Sequence, residues 1–241
     1  MSTIFEINKT LIEKRLKTGL ETLRKYYTVT ERTVPEEFRK MNIQNMHFEI
    51  QQYEIEGVGN LLTMKCVDSE VFQMDTFTLM PYFKNLPLFT TDYMYNAETR
   101  SYLNEIYNLV DYQDELYLSY IEKFKANHEK HAQLRDMPVH PCWYDAIRPV
   151  CTAKLTKPVA DEENMQIFTE NLNTFIEMEQ NTPAFTDEEA YQKKWKCNKT
   201  YSDRLVDDGG VSTDVFKRAL GAEKTKRFFS EVFFAPDLYQ K

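Results

Sequence analysis

Residues 71–95, VFQMDTFTLMPYFKNLPLFTTDYMY, decide the fold. Two β-leaning runs, Val71 to Met80 and Leu88 to Tyr95, are rich in Phe, Thr, Tyr and Met and are joined by a loop bounded by Pro81 and Pro87. So short a link pairs them antiparallel, because a parallel pair needs a crossover of roughly a dozen residues. Each run carries one carboxylate, Asp75 or Asp92, among apolar and aromatic neighbours. Period two alone allows either acid to face solvent. An acid turned into a dry interior behaves differently: desolvation destabilises its anion, raises its pKa and leaves a protonated group available at neutral pH.

Outward from this pair, more strands are legible. Met46, Phe48 and Ile50 alternate with polar residues, Tyr53 and Ile55 resume the run, and Gly57-Val58-Gly59-Asn60 reads as a turn. Leu61 to Val67 and Ser101 to Val110 add two runs. Before them, Leu11, Ile12, Leu16, Leu20 and Leu23 form the stripe of a helix over about 8–27. After Asp111, Leu116, Tyr120, Ile121 and Phe124 share the face of a helix reaching about Leu134. A stretch marked by Pro138, Pro141 and Pro149 follows, then helical windows near 161–179, 187–200 and 213–232. The order is helix, about five strands, then four helices. An antiparallel sheet with helices available for both faces predicts an α+β fold, an α/β/α sandwich with a central, mostly antiparallel sheet, in one domain over 1–241.

Composition removes several classes of function. With 30 Lys+Arg against 38 Asp+Glu, the net charge of −8 disfavours a protein that tracks nucleic-acid phosphates. Aromatics at 14% supply a core that a disordered acidic chain lacks. Among only 6 glycines, the one G-x-G, at Gly57 and Gly59, lacks the third Gly and the Lys-Ser/Thr of phosphate-cradling loops. Cys66, Cys142, Cys151 and Cys197 show no C-x-x-C spacing and are expected as reduced thiols. The opening MSTIFEINK has no signal-peptide order and no window reaches the roughly 20 apolar residues of a membrane span, so no membrane role and a cytoplasmic location are expected.

Histidine chemistry is thin. His128 and His131 stand at i and i+3 in H-E-K-H, not in the H-E-x-x-H of zinc proteases, and are read as a solvated helix face with no metal site. Lys193, Lys194, Lys196 and Lys199 crowd one helix; Lys224, Lys226 and Arg227 crowd another. Solvated surface is the ordinary meaning of such clusters, and a dock for an acidic protein is the functional one.

Several strings, in order, resemble the ferredoxin-dependent bilin reductases, which reduce open-chain tetrapyrroles. Leu86-Pro87-Leu88-Phe89-Thr90-Thr91-Asp92 is similar to the family's "LP-(apolar)-F-G-x-D", with Thr in place of Gly. Arg135-Asp136-Met137-Pro138 resembles its R-E-L-P, and Trp143 and Cys151 follow as a Trp and a Cys do there. Val215 to Glu223 and Arg227 to Phe234 resemble its closing helix, so the likeness covers about 46–234. It implies that Asp92 is the central proton donor and that Arg135 holds a propionate. A gapless count places Asp75 where the family carries His or Asn beside the substrate, making it the expected partner or relay of Asp92. Asn198-Lys199-Thr200 partly meets an N-D-K-T-like string, which implies substrate contact at Lys199 and leaves Asn198, Asp207 or Asp208 for a second acid, with Asp208 the choice. Ser101 matches a polar contact position.

The resemblance further implies the α/β/α fold, no bound cofactor, and electrons from reduced ferredoxin or flavodoxin. Ferredoxin would dock on Lys193, Lys194, Lys196, Lys224, Lys226 and Arg227; in a photosynthetic eukaryote the location becomes the plastid stroma. The bilin pocket needs Met and aromatic walls, a cationic rim and a buried acid. Rival readings are a reductase of another linear tetrapyrrole, such as a chlorophyll catabolite, a non-catalytic bilin carrier or interaction domain, and, more distantly, a metal-dependent hydrolase.

Overall fold

The computed structural model describes residues 3–241. Eight antiparallel strands form one sheet: β1 (Val29–Arg32), β2 (Lys40–Ile43), β3 (Met46–Ile55), β4 (Gly59–Cys66), β5 (Gln73–Pro81), β6 (Leu88–Tyr95), β7 (Arg100–Tyr107) and β8 (Val150–Thr156). The sheet runs β1-β3-β4-β5-β6-β7-β8, and β2 shares the outer edge of β3 with β1. β5 and β6 pair antiparallel as their short link requires.

Helices cover both faces. On one lie α1 (Ile4–Arg24), α3 (Glu115–Lys130) and α4 (Asp161–Asn181), closing a core around Leu16, Phe77, Phe89, Tyr93 and Phe168. On the other lie the single-turn α2 (Glu36–Arg39), α5 (Glu188–Asp207), α6 (Val211–Leu220) and α7 (Ala222–Phe228), around Met64, Leu88, Tyr107, Tyr201 and Phe228. This is the expected sandwich. Helix α1 crosses β5 so closely that a Cβ on Gly19 would lie 2.6 Å from the Phe77 ring, which is why glycine interrupts its apolar stripe.

Four differences have local causes. Helix α1 starts at Ile4 rather than near residue 8 because Thr3 and Glu6 form a capping box. Strands β1 and β2 have four residues each and add edge pairs too short for alternation to reveal. β8, between Pro149 and Pro158, adds the far edge beside β7 within what reads as an approach to the C-terminal helices. The window 213–232 is not one helix: it breaks at Gly221 (φ 83°), and Phe229–Phe233 forms a π turn.

Candidate active site

On the α5–α7 face the register builds a site in rows. Met64, Thr76, Asp92 and Leu103 are cross-strand neighbours from β4 to β7. Beside them run Thr78, Thr90 and Glu105, and on the other side Met74, Met94, Ser101 and Leu155. Over Met64, Met74, Thr76, Thr90, Asp92, Met94 and Glu105 of these rows, α5 brings Tyr201, α6 brings Thr213 and Phe216, and the π turn brings Phe229 and Phe233. Together they enclose a half-open cavity of about 280 Å³ with mostly apolar walls. Past it, Ser101, Leu103 and Leu155 continue the same sheet face as half-exposed residues.

Asp92 is half-buried: its side chain touches the hollow and protein surrounds it elsewhere. Thr76 donates its hydroxyl to Asp92 Oδ1 at 2.5 Å. Desolvation pushes the Asp92 carboxyl up to about 6; the Thr76 bond and the Arg15 charge oppose this, and the Glu105 charge adds to it. The acid is therefore one that gives and takes a proton near neutral pH.

The other expected acids are not beside it. Asp75 pairs across strands with Tyr93 and lies on the opposite face of the sheet. There it forms a buried ion pair with Arg15 of α1, whose guanidinium stacks 3.3 Å from the Tyr93 ring centroid. A step of one residue flips a strand side chain to the other face, so the cross-strand neighbour of Asp92 is Thr76, and Asp75 is neither its partner nor its relay. Asp208 is exposed at the end of α5 and pairs with Arg204 at 2.7 Å; Asp207 is exposed too. Asn198 is buried and donates to the Pro81 carbonyl at 2.8 Å. None of these three lines the cavity.

The expected contacts divide. Ser101 shares the Asp92 face, and Arg135 joins it: Leu155 N–H donates to the Arg135 carbonyl at 2.9 Å, a short extension of β8 whose register puts Arg135 in the row of Leu155 and Ser101. Arg135 is exposed, with no ion-pair partner among the described residues. Lys199 is not at the site; it pairs with Asp203 at 2.6 Å on another side of α5 from Tyr201 and Leu205.

The lysine patch is also rearranged. Lys194 is fully buried and donates to the Leu86 carbonyl at 2.6 Å and to that of Leu109, so it is not a surface cation. Lys224 and Arg227 are engaged by Glu37 at 3.3 and 2.9 Å, and Lys193 by Glu189 at 3.0 Å. Lys196 and Lys226 are exposed and outside any ion pair among the described residues. Nor is His131 solvated: it is buried, with its two ring nitrogens 2.9 Å from Glu163 and 3.3 Å from Glu170. No group of three or more His, Cys, Asp or Glu side chains is arranged to hold a metal ion among the described residues. No described helix is long and apolar enough to cross a membrane.

Sequence reasoning missed the second acid that does face the hollow, Glu105, and the arginine that holds it, Arg148. Its signal was available: in Arg100–Tyr107, period two puts Glu105 on the face of Ser101 and Tyr107.

Fold and site together define a three-layer sandwich whose antiparallel sheet carries a half-buried acid under an apolar cover of helices. No protein-family model matches the chain, and no curated sequence is similar to it. Among solved structures, it is similar to phytochromobilin synthase from tomato in complex with biliverdin. The TM-score is 0.76 over 95% of this chain and 85% of that one, at 13% identity. At that identity the likeness establishes a common fold.

Proposed function

We propose that this chain reduces a double bond of a linear tetrapyrrole, biliverdin or a related bilin, with electrons from a one-electron donor such as reduced ferredoxin or flavodoxin. The carrying observation is Asp92, an acid tuned to about 6 inside a Met- and Phe-walled hollow, on a fold shared with a biliverdin-bound protein. Each electron makes the pigment more basic, and the protonated carboxyl can then deliver a proton. Two electrons and two protons saturate one double bond, with Asp92 recharged by water through the open side. The proposal requires no resident flavin, nicotinamide or metal.

The cavity's 280 Å³ lies just below the usual span of ligand sites, roughly 300–1,000 Å³. It encloses the part of the pigment to be reduced, and the remainder would extend over Leu103, Ser101 and Leu155 toward Arg135, whose free guanidinium suits a propionate. Of the six basic residues expected to dock ferredoxin, Lys196 and Lys226 are those free of ion pairs among the described residues and available to an acidic donor.

Titration with biliverdin under visible absorbance, followed by reduced ferredoxin without oxygen, tests the reading. Binding and bleaching of the pigment are expected. Asp92→Asn should keep affinity within a few-fold and lower turnover by about 100-fold or more. Unchanged turnover removes Asp92 from the chemistry; a stable complex without reduction means a carrier; no spectral change removes the tetrapyrrole.

A further inference from the structure

We infer that Glu105, clamped by Arg148 on the strand beside Asp92, is a positioning residue that adds to burial in holding the proton on the Asp92 carboxyl. The consequence for turnover rests on the reading proposed above; the electrostatic statement does not.

Glu105 stands opposite Thr90 on β7 and is therefore the diagonal neighbour of Asp92 on the same face, a separation of about 7–8 Å between backbones. Its residue is only 7% exposed, and it lines the hollow. Arg148, near the end of the Pro-marked stretch, pairs with Glu105 and is itself held by Asp145 at 2.5 Å. Cys151 Sγ donates to Glu105 Oε1 at 3.7 Å from β8. The carboxylate is thus fixed from two sides beside the acid rather than free to swing into water. A buried ion pair contributes little net stability once desolvation is counted, so its place at the edge of a ligand-sized hollow calls for another role.

The groups around Asp92 decide the sign. From β5, Thr76 donates to it; from α1, the Arg15 charge acts through the sheet; both favour the anion. From β7, α5 and the turn holding Tyr144, the phenols of Tyr107, Tyr201 and Tyr144 are driven upward by burial and carry no charge near neutrality. From α6 come the hydroxyls of Ser212 and Thr213. The Arg148 charge is engaged by two carboxylates, Glu105 and Asp145. Among the described lining residues Glu105 is the one negative charge facing Asp92, and a like charge disfavours a second anion. An apolar pigment that displaces water lowers the local dielectric and strengthens that repulsion.

The test needs no pigment. Protein labelled with [γ-13C]aspartate is titrated by NMR, and Asp92→Asn assigns the resonance. Glu105→Gln and Glu105→Ala should each lower the Asp92 midpoint by about one pH unit, while Glu105→Asp, which keeps the charge, should lower it by less than half as much. A midpoint that stays put in whichever neutral variant folds overturns the inference. In turnover, Glu105→Gln should move the alkaline limb to lower pH in step. If the unaltered protein reduces no bilin, the functional reading falls while the NMR titration still decides the role of Glu105.

Discussion

Asp92 and Asp75 have the same kind of neighbours in sequence and opposite fates. Asp92 binds its proton more tightly when folded, at about 6 against the ordinary 3.8. Between those values the native state holds more protons than the unfolded chain, so stability falls as pH rises through the window, by about 3 kcal/mol in full above it. Asp92→Asn cannot ionise and escapes this loss. Urea denaturation should find it about 2–3 kcal/mol more stable than the unaltered protein at pH 7, with the difference vanishing below pH 4. Asp75 is stabilised by pairing with Arg15. Arg15→Met should cost about 3–5 kcal/mol by stranding a buried charge, and Asp75→Leu added to it should recover more than half, as measured by the same denaturation. That an acid interrupted each strand was readable in residues 71–95. Which acid met a hollow and which met an arginine depended on the register of β5 against β6 and on where α1 packed.

Elements differed in how much of themselves they displayed. Strands β3 to β7 were visible because each has eight residues or more, long enough for apolar, aromatic and β-branched side chains to mark the run. The π turn that ends the C-terminal helical window was not, because it depends on residues about 170 positions away in sequence. Asn60 donates to the carbonyls of Val232 and Phe233 at 3.1 and 3.0 Å, and Gln52 donates to that of Val232 at 3.2 Å. These two side chains on β3 and β4 satisfy carbonyls that the π turn leaves unpaired. Since the turn carries Phe229 and Phe233 to the cavity, Asn60→Leu should cost about 1–3 kcal/mol in thermal or urea unfolding and weaken biliverdin binding several-fold in the absorbance titration.

At the scale of the molecule, α5 is bolted to β5 and to the loops flanking β6 and β7 by two side chains, of which Lys194 reads as solvent-facing. Lys194 bridges the Leu86 and Leu109 carbonyls, and Asn198, one turn on, takes that of Pro81. A neutral amine has two hydrogens for two carbonyls, and desolvation brings Lys194 down to about 7. Its folded form holds fewer protons than the unfolded chain between about 7 and 10.5, so this group makes the protein more stable as pH rises through that range. Lys194→Met should lose that rise, which denaturation at pH 7 and pH 9 will show. The sequence by itself determined the alternating runs, the Pro-bounded link that makes β5 and β6 antiparallel, and helices enough to cover both faces, because local periodicity encodes those. Only the tertiary structure decided that Asp92, Thr76 and Glu105 share one hollow, that Asp75 belongs to another core, and that Lys194 is interior. Period two relates residues within a strand, but faces on different strands are matched by long-range register and by the helices that dock on them.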